Sequence, residues 1–553
     1  MSKDHKISGF YSIFLHTRKQ YVIICALHLH YDRVMCMCYE MERNAKKMLQ
    51  TIEQINNVVN NFIWGVPAMI CIIGVGLFLS VRTRFLQIRK FPYAMKVTIG
   101  RMLKKREASD GALTPFQAVC TALAATVGTG NVAGVAGAIA IGGPGAVFWM
   151  WISAILGMCT KFFEVTLAVH FRETNANGEL VGGPMYYIKN GLKKHWLWLA
   201  YLFSAFGVLT VFGTGNATQV NTITTAIDSA LYNFNLLSEE SAPTLNLVIG
   251  IVLAALIALI LIGGIKRIGQ VTEKLVPFMA IMYILLAVGV VVVHIGSIPT
   301  VFSSIIRGAF DPAAVTGGAV GSFFMSMKKG VSRGIFSNEA GQGSGTFAAG
   351  AAEVEHPAQQ GLVQVLAVFV DTLIICTLTA VTILITGCYN VIDPNGTAII
   401  SNLEGIDAGV IYLQRGVATT FGNFASIIIG ICVILFTFTS ILACYYQAES
   451  NMALFLKKEN KAALMFVKLL GVAAILYGGL SVSQLVWNLA DISCGLTVWL
   501  NLIVMILLAK PLFVTLKDYD RQRNNNVGRL TFDPKALGIK GADAELWEEI
   551  NRR

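Results

Sequence analysis

The chain has 553 residues, 55% of them hydrophobic and only 14% charged, with a mean hydropathy of +0.63. Soluble domains carry roughly 25% charged residues, so the composition excludes a disordered, fibrous or ordinary cytosolic protein. It also leaves no polar stretch long enough for a large soluble catalytic domain. The net charge of +11 could point to nucleic acid, but the basic residues cluster between apolar runs, where polytopic membrane proteins use them for orientation. Among the eleven cysteines, Cys36 and Cys38 are the only close pair. The others lie mostly singly in apolar runs, so neither a metal site nor a disulfide framework is read.

Residues 1–48 read as an N-terminal extension. Met1 to about Tyr39 holds His5, His16, His28 and His30, half of the chain's histidines, and three of its cysteines. Such a tract can bind metal, but the spacing fits no site. It reads as a segment upstream of a native start near Met41 or Met48, and it is expected to be dispensable.

A membrane-spanning helix needs about 20 apolar residues, and eleven such runs follow. Phe62–Val81 is the first, within a segment 49–110 that ends in a basic loop. A first set of five occupies 111–298. Its members are two spans within Gly111–Val169, separated at Gly142-Gly143-Pro144-Gly145, then Trp196–Ile227, Leu245–Ile265 and Leu275–Ile298. A second set occupies 299–509: Ala313–Ala352, Gly361–Cys388, Gly416–Ala448, Ala462–Ser483 and Leu485–Leu508. Residues 510–553 form a polar tail.

The charges fix an expected topology. Arg82, Arg84, Arg89, Lys90, Lys96, Arg101, Lys104, Lys105 and Arg106 follow the first span and place that loop in the cytoplasm. Alternation then puts Lys266, Arg267, Lys274, Lys457, Lys458 and Lys461 inside as well. The loops 228–245 and 388–407, which lack Lys and Arg, fall outside. The N-terminus is therefore expected outside and the C-terminus in the cytoplasm.

Two spans carry the functional signal. Gly111–Gly145 and Gly317–Gly345 hold eight glycines each. In the second span Val127-Gly128-Thr129-Gly130-Asn131 lies about halfway. In the seventh, the run from Phe323 to Gly330 ends in Lys328-Lys329, which a lipid-facing helix would not tolerate. Gly-interrupted spans in matching positions of two halves, here entered from opposite sides, point to a transporter site built on an inverted repeat. Unwound backbone frees carbonyls for a cation and amides for a carboxylate. The alternative for Gly130–Gly134 is a tight GxxxG helix crossing. The GxGxxA match at Gly128–Ala133 is no dinucleotide motif, because the strand it requires is missing.

The run from Ala124 to Gly134, with Ala140–Gly145, Gly182–Tyr187, Arg333–Gly341, Asp371-Thr372 and Cys376-Thr377, resembles the alanine or glycine:cation symporter family over about Leu49 to Leu516. The resemblance implies an all-α polytopic membrane protein of about eleven transmembrane helices. The expected fold is the 5+5 inverted repeat of LeuT type, with one extra N-terminal helix. It implies no enzyme activity and no cofactor, with sodium as coupling ion and an amino acid as the small-molecule partner. By the same resemblance, sodium would be held by the carbonyls of Ala124 and Val127 and the hydroxyls of Thr439 and Ser440. The substrate would meet Thr129, Gly130 and Asn131, with Gln219, and the carbonyls of Phe324, Met325 and Ser326. Many relatives carry a tryptophan after the Ile-Leu of the ninth span, whereas Ala443-Cys444 stands here, so Cys444 is expected to widen the pocket toward glutamine or another neutral amino acid.

Lys161 and Glu164, one turn apart, are expected to neutralise each other. Asp371 is read as a structural hydrogen-bonding group, with a proton relay as the alternative. A proton-coupled symporter is thus the second reading. An ion channel, which would need a continuous polar lining, is the competing class.

Overall fold

The computed structural model describes residues 43, 47–48, 51, 54–56, 58–102, 113–175, 178–261, 264–311, 323–393, 398–455, 461–480, 483–525 and 527–552. Residues 1–42, and the 104–106 part of the basic loop, lie outside the described residues. Among the described residues, eight helices are long and apolar enough to cross a membrane: Gln54–Arg82, Ala146–His170, Lys194–Asn233, Ala242–Leu261, Lys266–Val293, Pro357–Thr386, Asn423–Ala453 and Ala490–Leu507. Shorter apolar helices lie between them, and two of these belong to broken helices.

The first broken helix runs Pro115–Thr126, passes through a short 3-10 turn at Thr129–Asn131, and resumes as Ala133–Gly142. Its start is well defined. Pro115 is the first helical residue, and Thr114 and Gln117 form a reciprocal capping box at 3.1 and 3.2 Å, which satisfies two otherwise orphan amides. The second broken helix runs Phe323–Asn338 and resumes at Thr346–Gly350.

The helices pair across the two halves. The broken helices pack on each other. Ala146–His170 packs on Pro357–Thr386, Lys194–Asn233 on Asn423–Ala453, and Ala242–Leu261 on Lys461–Leu480. Each of the first four helices of one set thus meets its counterpart in the other, as two related five-helix units require. This is the LeuT-type arrangement, with the Gln54–Arg82 helix packed outside it against Ala146–His170 and Ser483–Leu507.

Several sequence expectations are corrected. The seventh span is not broken near Lys328-Lys329: the helix is continuous from Phe323 to Asn338, and Lys328 donates to Asn61 Oδ1 at 2.9 Å. The interruption falls at 339–345, where Glu339, Gly341 and Gly343 adopt positive φ. The ninth span does not begin at Gly416. Gly422, at φ +80°, separates a helix Val410–Phe421 from the span Asn423–Ala453. A helix Ile298–Phe310 stands at the start of the second set, before its first span, where the sequence shows no apolar run of membrane length. Lys161 and Glu164 do act on each other electrostatically, as expected, and each in addition meets the second break. Lys161 Nζ lies 3.6 Å from a Glu339 carboxylate oxygen and donates to the Glu339 carbonyl at 3.2 Å. Glu164 accepts from Gly343 N–H at 3.1 Å and from Asn501.

Candidate binding site at the first helix break

The backbone between Thr126 and Ala133 leaves the helix, and its polar groups need partners from elsewhere. Side chains supply them. Asn131 Oδ1 accepts from Gly128 N–H at 2.8 Å, folding the segment back on itself. Gln219 Oε1, on the helix Thr218–Asn233, accepts from Thr129 N–H at 3.1 Å. Thr379 Oγ1 donates to the Asn131 carbonyl at 2.7 Å. The Thr129 hydroxyl bonds to that of Thr222. Ser440 Oγ, from Asn423–Ala453, donates to the carbonyls of Ala124 at 3.0 Å and Val127 at 3.1 Å. The Ser440 hydroxyl oxygen therefore lies about 3 Å from two carbonyl oxygens of another helix.

Close approach explains two of the glycines. A Cβ on Gly128 would lie 2.5 Å from Ser440 Oγ, and one on Gly130 would lie 2.9 Å from the Ser337 Cα. Neither neighbour leaves room for a side chain. The Gly130 contact also brings in Phe336, whose ring would lie 3.1 Å from that added Cβ and stacks, tilted, on Trp487 at 5.0 Å.

The buried carboxylate of Asp371 completes the cluster. It accepts from Asn131 Nδ2 at 2.6 Å, Ser337 Oγ at 2.8 Å and Thr372 Oγ1 at 2.8 Å. It thereby ties the first break to the last turn before the second. Asp371 sits in a π-helical segment, Phe369–Cys376, and a second π-segment, Val211–Ala217, leads into Gln219. Such bulges turn side chains away from the regular 3.6-residue register and are frequent at functional sites. An ionised carboxylate buried this deeply needs its hydrogen bonds, and three donors meet that need.

The structure brings together Ala124, Val127, Thr129, Gly130, Asn131, Gln219 and Ser440 among the residues singled out from sequence. Thr439 is buried beside them, but its hydroxyl donates to Phe436 O of its own helix at 3.0 Å and faces Met279 Sδ at 3.8 Å. Phe324, Met325 and Ser326 are not brought to the break. They lie in the first turn of a regular helix, whose carbonyls serve the helix itself. Ser326 packs beside Gly142, whereas Ser337, eleven residues further on, packs at Gly130. Cys444 is buried one turn beyond Ser440 on the same helix. Its neighbour Ala443 lines a water-sized void with Ala125, Ser344 and Gly345. Sequence reasoning gave Asp371, Ser337 and Thr372 no place in the binding site, although all three lie in the motifs that carry the family resemblance.

Two broken helices in an inverted pair, with polar side chains from several other helices closing on one break, define a polytopic secondary transporter and not an enzyme. The chain belongs to the sodium:alanine symporter family, which it matches over residues 49–533. It is 42% identical over 492 residues to the carrier protein YrbD of Bacillus subtilis, spanning 89% of this chain and 96% of that one. It is 38% identical over 479 residues to GlnT of the same organism, spanning 86% and 92%. With the sodium/alanine symporter AgcS of Methanococcus maripaludis it shares 36% over 474 residues, 85% and 97% of the two chains.

Proposed function

We propose that the protein couples inward movement of sodium to uptake of a neutral amino acid by alternating access across the cytoplasmic membrane. The observation that carries this reading is the convergence of Gln219 and Ser440, from two other helices, on the first helix break and the helix end that leads into it, from Ala124 to Thr129.

The sodium position lies at the carbonyls of Ala124 and Val127 and the Ser440 hydroxyl, with Thr439 able to join by rotating away from Phe436. All are oxygen donors, which suit a hard cation. The substrate carboxylate binds at the Thr129 and Gly130 backbone. There the Gln219 oxygen already accepts from Thr129 N–H, so a carboxylate oxygen would take over a hydrogen bond that the protein makes for itself. Asn131 holds the break in shape, and Phe336 covers it. The names of GlnT and AgcS refer to glutamine and to alanine, which supports a neutral side chain and leaves its size to the pocket near Cys444. The basic first loop and the tail 510–553 face the cytoplasm, and the N-terminus lies outside.

A second reading is favoured by one observation. Asp371 is a fully buried carboxylate at the joint between the breaks, and the name of YrbD refers to both sodium and protons. Asp371 would then carry a proton in place of, or beside, the cation. The test is uptake of labelled alanine and glutamine into proteoliposomes, with imposed sodium and pH gradients applied separately. Uptake that requires sodium supports the first reading. Uptake that follows the pH gradient in sodium-free buffer selects the second.

A further inference from the structure

The polar tail is expected from sequence to be a plain soluble extension. In the structure it folds back on the helix bundle. After the helix Ala509–Asn524 the chain runs to a last helix, Ala544–Arg552. Asn551 clasps this segment into a closed unit, its side chain bonding both the amide (3.2 Å) and the carbonyl (2.9 Å) of Phe532. Most of the unit faces water; the side chains of Lys535, Glu548 and Arg552 are 68%, 54% and 83% exposed. Two aromatic side chains point the other way. Phe532 and Trp547 are fully buried, with ring centroids 4.8 Å apart.

Their nest is built from both halves of the transporter. It combines Leu113 and Ala118, at the start of the first broken helix, with Val165 and Val169 and with Ala349, Ala352 and Val354, just after the second break. Polar contacts bind the same seam. Leu113 N–H donates to Ala351 O at 3.2 Å, and Glu353 N–H donates to Leu113 O at 3.3 Å. Arg172 Nη1 donates to Ala352 O at 2.9 Å while its guanidinium lies 4.6 Å over the Trp547 ring. Trp547 Nε1 donates to His170 O at 3.3 Å.

We propose that the segment 527–552 is a latch that holds this face of the transporter closed, with Trp547 and Phe532 as its two pins. The inference rests on the alternating-access reading, in which the tail face is cytoplasmic. For a path to open on that face, the half-helix Pro115–Thr126 must part from the helix Thr346–Gly350. Parting them separates Leu113 from Ala351–Glu353 and splits the nest that buries both rings. The rings also touch His170, Arg172 and His356, which stay in place. The part of their burial that Leu113, Ala118, Ala349, Ala352 and Val354 share, however, exists only while the face is closed, and a group that binds one of two states better shifts the equilibrium toward it. A tail that merely capped one body would have no such preference, because its contacts would survive the opening.

The test is hydrogen exchange on the full-length protein in lipid nanodiscs, with Trp547→Ala, Phe532→Ala and the conservative Trp547→Phe. The latch predicts that both alanine variants speed exchange at residues 113–126 and 346–354 by at least tenfold. Residues 133–142, on the far side of the break, keep the wild-type rate. Trp547→Phe stays within threefold of wild type, because the ring still fills the nest. In uptake assays the alanine variants raise KM for external substrate severalfold with a smaller change in maximal rate, since fewer molecules wait with the outer side open. Exchange unchanged within twofold at 113–126 and 346–354 overturns the proposal. So does an equal acceleration of every helix, which marks general loosening. Because the exchange pattern is read without transport, a wild-type protein that moves no amino acid would count against the proposed function and leave this result to stand by itself.

Discussion

Ser440→Ala tests the cation position most sharply. Ser440 Oγ donates to the carbonyls of Ala124 and Val127 at 3.0 and 3.1 Å, and the serine is 1% exposed. Removing the hydroxyl leaves two buried carbonyls short of a donor, at a folding cost of about 1–3 kcal/mol. That is small beside the roughly 5–15 kcal/mol that a folded protein has in reserve, so the variant folds. The effect on sodium is larger. A hydroxyl interacting with a full charge contributes about 1.5–3 kcal/mol, which corresponds to about 10- to 150-fold in affinity. The half-saturating sodium concentration for alanine uptake should rise by that factor in Ser440→Ala, and much less in Ser440→Thr, which keeps the oxygen. Thr439→Val should shift it less than Ser440→Ala, because the Thr439 hydroxyl is already turned to Phe436 O. A well-folded Ser440→Ala with sodium dependence within twofold of wild type would refute the placement of the cation at these carbonyls.

Asn131→Ala removes the acceptor for Gly128 N–H and the donor to Asp371. Uptake should fall at least 100-fold while circular dichroism stays native; wild-type kinetics would take Asn131 out of the site. Cys444→Trp should lower the ratio of glutamine to alanine uptake, because an indole one turn from Ser440 narrows the pocket. A variant that overpacks the core instead, at about 1–3 kcal/mol, would depress both substrates alike and leave the ratio unchanged. The seat of the tail helix should also weaken in acid. His356 precedes the span Pro357–Thr386 and has its Nε2 3.4 Å from Asp518 Oδ2. Burial, partly offset by Asp518, holds the imidazole below its ordinary value. Burial alone would raise the Asp518 carboxyl, but the hydrogen bonds from His356 and Gln522 and the Arg521 charge outweigh it and hold the group low. The unfolded chain binds more protons at both groups, so their contribution to stability falls with pH. The loss begins below about 6.5 at His356 and below about 3.9 at Asp518. Amide protection across 509–524 should drop as pH goes from 7.5 to about 5.5, and His356→Gln should remove that drop; pH-independent protection in the wild type would contradict it.

Much of this architecture is readable from local signals, and the failures have a common physical cause. Apolar runs of membrane length mark the spans because a helix satisfies every backbone polar group within the segment that lipid surrounds. The first break announces itself in Gly128-Thr129-Gly130-Asn131, where glycine is needed for close approach and asparagine can bond the free amide. The second break carries a similar local signal, Asn338-Glu339-Ala340-Gly341-Gln342-Gly343, but two lysines eleven residues earlier look more disruptive in a membrane. Lys328 is tolerated because it reaches Asn61, a partner 267 positions away. Distance along the chain also hides the partners of Lys161, Glu164 and Asp371. No periodicity links Asp371 to Asn131, 240 residues earlier, or Glu164 to Asn501. The tail misleads for the same reason: its anchors, Leu512, Tyr519, Phe532 and Trp547 among them, are scattered among charged residues, and a segment so polar otherwise reads as solvated.

The central claim is that sodium and an amino acid cross together. Entry of radiolabelled sodium into proteoliposomes, measured with and without external alanine or glutamine at fixed pH, addresses it directly. The account predicts sodium entry stimulated by the amino acid in the wild type and lost in Asn131→Ala, at a constant ratio of sodium to substrate over a range of alanine concentrations. Amino acid uptake that proceeds with no accompanying sodium entry would contradict it.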